Sequence, residues 1–125
     1  MIAALYTSTK QPKKMIDIIK NQEDYLLVDI NIQEANMANA DTFKSEIIAM
    51  MDLYHKKIVL SLHYVNYIDS TFLGALVSAL KHAISLKLDI ALVGLNKDIR
   101  DLLILIRLDK VFKIYDSFSD ATQAN

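Results

Sequence analysis

Between residues 67 and 74 the chain reads Tyr67–Ile68–Asp69–Ser70–Thr71–Phe72–Leu73–Gly74, a carboxylate followed at once by two hydroxyls. The stretch joins an expected strand to an expected helix, so Ser70 falls at or near a helix N-terminus, where backbone N–H groups have no partner. A phosphate on that hydroxyl would accept those hydrogen bonds and gain from the helix dipole. Taken alone, Asp–Ser–Thr before a helix is ordinary capping chemistry. Gly74 lies inside the helix, at a cost of ~1 kcal/mol relative to alanine, and close approach of another backbone is one reason to keep it there. Ser70, Gly74 and Ser78 fall along one side, with Lys81 below them, while Leu73, Leu76, Val77, Leu80 and Ile84 supply the side expected to be buried. The first turns therefore present small residues outward, as a docking surface does.

Other chemistry finds no residues to carry it. There is no cysteine, which removes disulfides, thiolate metal sites and cysteine nucleophiles together. Gly74 and Gly94 are the only glycines, so neither a phosphate-binding loop nor a dinucleotide fingerprint fits. His55, His63 and His82 lack metal-ligand spacing: His63 lies on an expected strand opposite Ile58, Leu60 and Leu62, and His82 on a helix away from its apolar stripe. Met50 and Met51 sit where core filler belongs. The carboxylates are scattered. The expectation is a protein that is not an enzyme and takes no cofactor or metal.

Charge and hydropathy narrow the partners. Net charge is −1, and Lys13–Lys14 and Lys56–Lys57 are the only adjacent basic pairs, no footprint for nucleic acid or anionic lipid. Asp, Lys or Arg interrupts every apolar run before the ~20 residues that membrane insertion needs. Met1 to Leu5 is too short for a signal-peptide core. A cytoplasmic protein whose partners are proteins is expected.

Stepping outward, 125 residues at 53% hydrophobic and 23% charged are enough for one domain with a real core and a wet surface. Residues 1–14 form an N-terminal arm or extra edge strand, and the domain occupies 15–125. Met15 to Lys20 and Tyr25 to Ile32 read as two strands around the polar turn Asn21–Asp24, a hairpin, with Leu26, Val28, Ile30 and Ile32 on one face. Asn36 caps a first helix with Phe43, Ile47, Met50 or Met51, and Tyr54 on its stripe. Ile58, Leu60, Leu62 and Tyr64 alternate as a third strand. Asp69 or Ser70 opens a second helix to about Leu86, and Leu88 to Val93 reads as a strand covered on both faces. Asn96 caps a third helix with core stripe Ile99, Leu102, Leu103 and Ile106. Val111 to Tyr115 is a last strand, and Ser117 caps a terminal helical turn. A hairpin followed by alternating helices and strands is an α/β domain, with a mixed, mostly parallel sheet of four to five strands and three to four helices.

The run Lys57-Ile-Val-Leu-Ser-Leu-His-Tyr-Val-Asn-Tyr-Ile-Asp-Ser-Thr-Phe-Leu-Gly resembles the signature of STAS domains in bacterial anti-sigma factor antagonists, where a hydrophobic strand enters an Asp-Ser-Ser/Thr-Gly-Leu-Gly turn that opens a helix. Asn36-Met-Ala-Asn-Ala-Asp-Thr-Phe-Lys is similar to the family's first-helix entry, and to that of STAS domains in sulfate-permease-type transporters. Ile99-Arg-Asp-Leu-Leu, and Leu108-Asp-Lys-Val-Phe through Ala121, resemble its closing elements. The likeness runs from Met15 to Ala124. It implies that Ser70 is phosphorylated by a partner that is both anti-sigma factor and serine kinase, with Thr71 the rival acceptor, and that a cognate phosphatase reverses the step. It implies a partner surface of Asp69, Ser70, Thr71, Phe72, Gly74, Ser78 and Asn36, with a weak homodimer allowed. ATP and magnesium would belong to the kinase. A self-assembling stressosome-like scaffold and an accessory of a transport system are the alternatives that the same resemblance leaves open. Two departures stand out: Phe72 replaces the turn's first glycine, placing a large ring beside the acceptor unless it packs inward, and Arg107 stands where a glycine usually ends the third helix.

Overall fold

The computed structural model describes residues 14–123. The arm or edge strand expected over residues 1–14 therefore lies, Lys14 apart, outside the described residues.

Strands β1 (Ile16–Asn21) and β2 (Tyr25–Ile30) pair antiparallel, with Ile16 opposite Ile30. The register shifts between Ile18 and Lys20, which turns Ile19 outward to 50% exposure. Strands β4 (Lys57–Ser61), β6 (Ile90–Val93) and β7 (Lys113–Tyr115) follow in parallel, giving a five-stranded mixed sheet in the order β1-β2-β4-β6-β7. Helices α1 (Met37–Tyr54), α2 (Ser70–Ser85), α3 (Lys97–Leu105) and α4 (Phe118–Gln123) complete the α/β domain, with a 3-10 turn at Leu108–Lys110.

The sheet has two unequal faces. Leu26, Val28 and Ile30 of β2, Ile58 and Leu60 of β4, and Ile90 and Leu92 of β6 share the main core with α1 and α2. Val59 and Val93 point the other way and meet Ala121 of α4, with Phe118 packed beside them. Ile58, Val59 and Leu60 are thus all buried, as a central parallel strand covered on both sides requires. Each large side chain so buried contributes about 1.5–3 kcal/mol of transfer free energy.

Helix α2 rolls further onto its small residues than the leucine spacing predicts. Phe72, Ala75, Ala79 and Ala83 form one buried row and Leu73, Leu76 and Leu80 a second, with Val77 half-buried at the margin. Ile84, expected on the buried side, is 60% exposed, because it sits a further 100° round the helix from Ala83. Ile106 is also exposed, since α3 ends at Leu105 and Ile106 serves only as its C-cap. Tyr64 and His63 are not on a strand: β4 stops at Ser61, and both residues lie exposed in the turn that follows.

Candidate functional site

The segment that leaves β4 is built to deliver Asp69 and Ser70 to one place. Leu62 and Val65 are buried and anchor the turn from inside. Asn66 and Tyr67 N–H groups both donate to the Gln33 carbonyl (2.7 and 3.2 Å), and the Asp69 N–H donates to the Ala35 carbonyl at 2.9 Å. Between them, β5 (Tyr67–Ile68) pairs in parallel with β3 (Glu34–Ala35), a two-residue ladder too short to read from sequence. Asn96 holds the turn from the other side: its Oδ1 caps α3 by accepting from Ile99 N–H at 2.8 Å, and its Nδ2 donates to the Val65 carbonyl at 3.3 Å.

At the end of this path Asp69 is the N-cap of α2 and Ser70 its first residue. Asp69 Oδ1 accepts from the Phe72 N–H at 2.9 Å, and Oδ2 accepts from the Met37 N–H at 3.0 Å. One carboxylate therefore serves the N-termini of both α1 and α2, whose positive dipole ends converge on it. Asn36 completes the entry to α1: its Oδ1 accepts from Ala38 N–H at 2.9 Å, while Asn39 Oδ1 accepts from the Asn36 N–H at 2.9 Å.

Ser70 and Thr71 are both exposed, Gly74 is exposed and Ser78 half-buried, so these small residues do share the outer side of the first turns. A Cβ placed on Gly74 would meet nothing within 4 Å, so among the described residues no backbone outside its own helix approaches it. The close approach falls instead at Gly94, where φ is +73° and a Cβ would lie 3.4 Å from His63 N.

Phe72 is not a surface ring beside the hydroxyls. It is fully buried, its ring centroid 4.6 Å from that of Phe43 at an interplanar angle of 35°. At this position of the first turn the side chain points down between α1 and α2, so it anchors the backbone beside Ser70 and offers a partner nothing directly. Met37 (71% exposed) and Tyr67 (56% exposed) are the large side chains at the surface here, and both were missed in the sequence. Tyr67 had a signal: on a strand with Ile68 buried, its neighbour must point outward. Met37 had none, because only the Asp69–Met37 contact brings it there.

Arg107 has φ +67°, the left-handed conformation that glycine ordinarily supplies. Among the described residues, no His, Asp and Glu side chains gather into a cluster able to hold a metal ion. No helix among them is long and apolar enough to cross a membrane.

A family model described as "STAS domain" matches residues 18–121. The candidate anti-sigma factor antagonist of Thermotoga neapolitana is 35% identical over 102 residues, which are 81% of this chain and 89% of that one. Its Thermotoga maritima counterpart is 37% identical over 92 residues, 73% and 81% of the two chains. The crystal structure of a candidate anti-sigma factor antagonist from Thermotoga maritima matches with a TM-score of 0.71 at 32% identity, covering 86% of this chain and 90% of that chain.

Proposed function

Because the chain belongs to the STAS domain family, with relatives of the anti-sigma factor antagonist kind, we propose that it acts in the cytoplasm as an anti-sigma factor antagonist switched at Ser70. It is a binding protein without turnover of its own. Unmodified, the surface around Ser70 docks on an anti-sigma factor that is also a serine kinase, and the sigma factor is released. The observation that carries this reading is the exposed Ser70 hydroxyl on the first residue of a helix whose N-cap carboxylate is held by two backbone N–H groups.

In the modification, Ser70 Oγ attacks the γ-phosphorus of kinase-bound ATP. The Oγ–P bond forms as the bond to the β–γ bridging oxygen breaks, and the hydroxyl proton leaves to a base on the kinase. The product carries about −1.5 to −2 charges at the docking surface. Part of that charge is met internally, by the first-turn N–H groups that Asp69 does not occupy. A partner packed against Gly74 must then desolvate a dianion with few cations opposite it, and binding weakens. A cognate phosphatase restores the docking form by hydrolysing the ester.

The test uses Ser70→Ala as bait in its native cell extract, followed by incubation of the wild-type chain with the recovered kinase and ATP. One phosphoryl group is expected, located by fragmentation on Ser70 and retained in Thr71→Ala. Modification of Ser70→Ala but not Thr71→Ala would move the acceptor one residue on. Recovery of no kinase with the Ser70→Ala bait would end the antagonist reading.

A further inference from the structure

Helix α4 covers only part of the second sheet face, and beside it lies a cavity of about 220 Å³. Its floor is explained by the register: Val59, Ala91 and Lys113 stand side by side on β4, β6 and β7, and the alanine in the middle leaves the space. Ala121 of α4 closes it from above, and Tyr25 and Tyr115 form the walls. The mouth lies where β4, β6 and β7 begin, whereas Ser70 follows the far end of β4, so this is a different place on the molecule from the phosphorylation surface.

The mouth is charged. Lys113 Nζ lies 3.2 Å from Asp89 Oδ2, and Lys57 Nζ stands 5.8 Å from the centroid of the Tyr25 ring. The hydrogen bond to Asp89, and then its charge, raise the Lys113 pKa above the usual lysine value, so that ammonium keeps its proton. Among the residues that line the cavity, two carry ammonium groups and one a carboxylate, so its rim is net positive. Size sets the rest. An apolar cavity of ~150 Å³ accepts a benzene ring, so this one accepts a single ring with a small substituent and is too small for a nucleotide.

We propose that this cavity binds a small aromatic carboxylate, its ring on Ala91 between the tyrosines and its carboxylate at Lys57. Sodium benzoate is the probe, followed by amide chemical shifts on the full chain. Saturable binding with a Kd of about 1 mM is expected, with shifts concentrated at 57–59, 89–91, 113–115 and 121. Benzylamine, equal in size and opposite in charge, should leave those amides unmoved. Lys57→Met, which keeps the apolar stem, should weaken benzoate at least fivefold with thermal unfolding unchanged, and Ala91→Leu should abolish binding by filling the floor. If Ala91→Leu fails to fold, Lys57→Met and the benzylamine comparison decide. Shifts spread over other surfaces, equal binding of benzylamine, or unaltered affinity in Lys57→Met would overturn the proposal. Acetate or inorganic phosphate binding as tightly as benzoate would mean an adventitious ion only, and would overturn it equally.

Discussion

A phenylalanine in place of the first glycine of the turn that this segment resembles invites the idea of a ring that shields the neighbouring hydroxyl. The contact with Phe43 gives it the opposite role, since a fully buried ring stabilises the first turn of α2 from beneath and leaves Ser70 open above. Phe72→Gly should therefore lower stability by about 3–5 kcal/mol, the range for emptying an aromatic site, and chemical denaturation measures it. A loss under 1 kcal/mol would mean that the ring is dispensable. At this scale the sequence was informative about Asp69, Ser70 and the Asn36 and Asn96 caps, because capping depends on residue type and local order. It was silent on Phe72's direction and on the second job of Asp69, because both depend on α1, more than twenty residues away in the chain and adjacent only in space.

Elements repeat the same division. The alternation of Leu26, Val28 and Ile30 located β2, and the continuous apolar run ending at Val93 located β6, although β2 stops at Ile30 and β6 starts at Ile90, each two residues shorter than expected. Helix α2 was rotated slightly wrong, with Ile84 turned in and the alanines ignored, because a count of large apolar residues overlooks small ones that let helices approach closely. The β3–β5 pair escaped altogether: two residues carry no period. Gly74 belongs to this scale, since its cost is a helix cost. With open space around it, Gly74→Ala should stabilise the isolated domain by about 0.5–1 kcal/mol, read as a raised denaturation midpoint. Gly74→Trp should leave the fold intact and weaken kinase binding by roughly 1–3 kcal/mol. Destabilisation by the alanine would show a cost that the structure does not contain; equal kinase affinity for the tryptophan variant would put the interface elsewhere.

For the molecule as a whole, the order of elements was legible from end to end, whereas the division of labour between the two sheet faces was not. Val59 and Val93 lie on strands that read as wholly apolar, and such strands do not announce which side is thickly covered and which, among the described residues, by the six-residue α4. A chain ending at Asp116 should keep the main core, lose about 1–3 kcal/mol, and bind a dye for exposed apolar surface that the full chain does not. Unchanged stability would show that α4 is an ornament on this face.

Asp69 joins residues 37 and 72, so the beginnings of two helices share a single electrostatic anchor. The proposed phosphate on Ser70 would place a dianion one residue from that anchor, repelling it and competing for the same N–H groups. That competition reaches both of the carboxylate's hydrogen bonds, to Phe72 in α2 and to Met37 in α1. What happens chemically to one hydroxyl is then felt as a change in how firmly α1 begins. A partner touching both helix ends would meet two altered surfaces after a single transfer, one charged and one loosened, and would have twice the reason to let go.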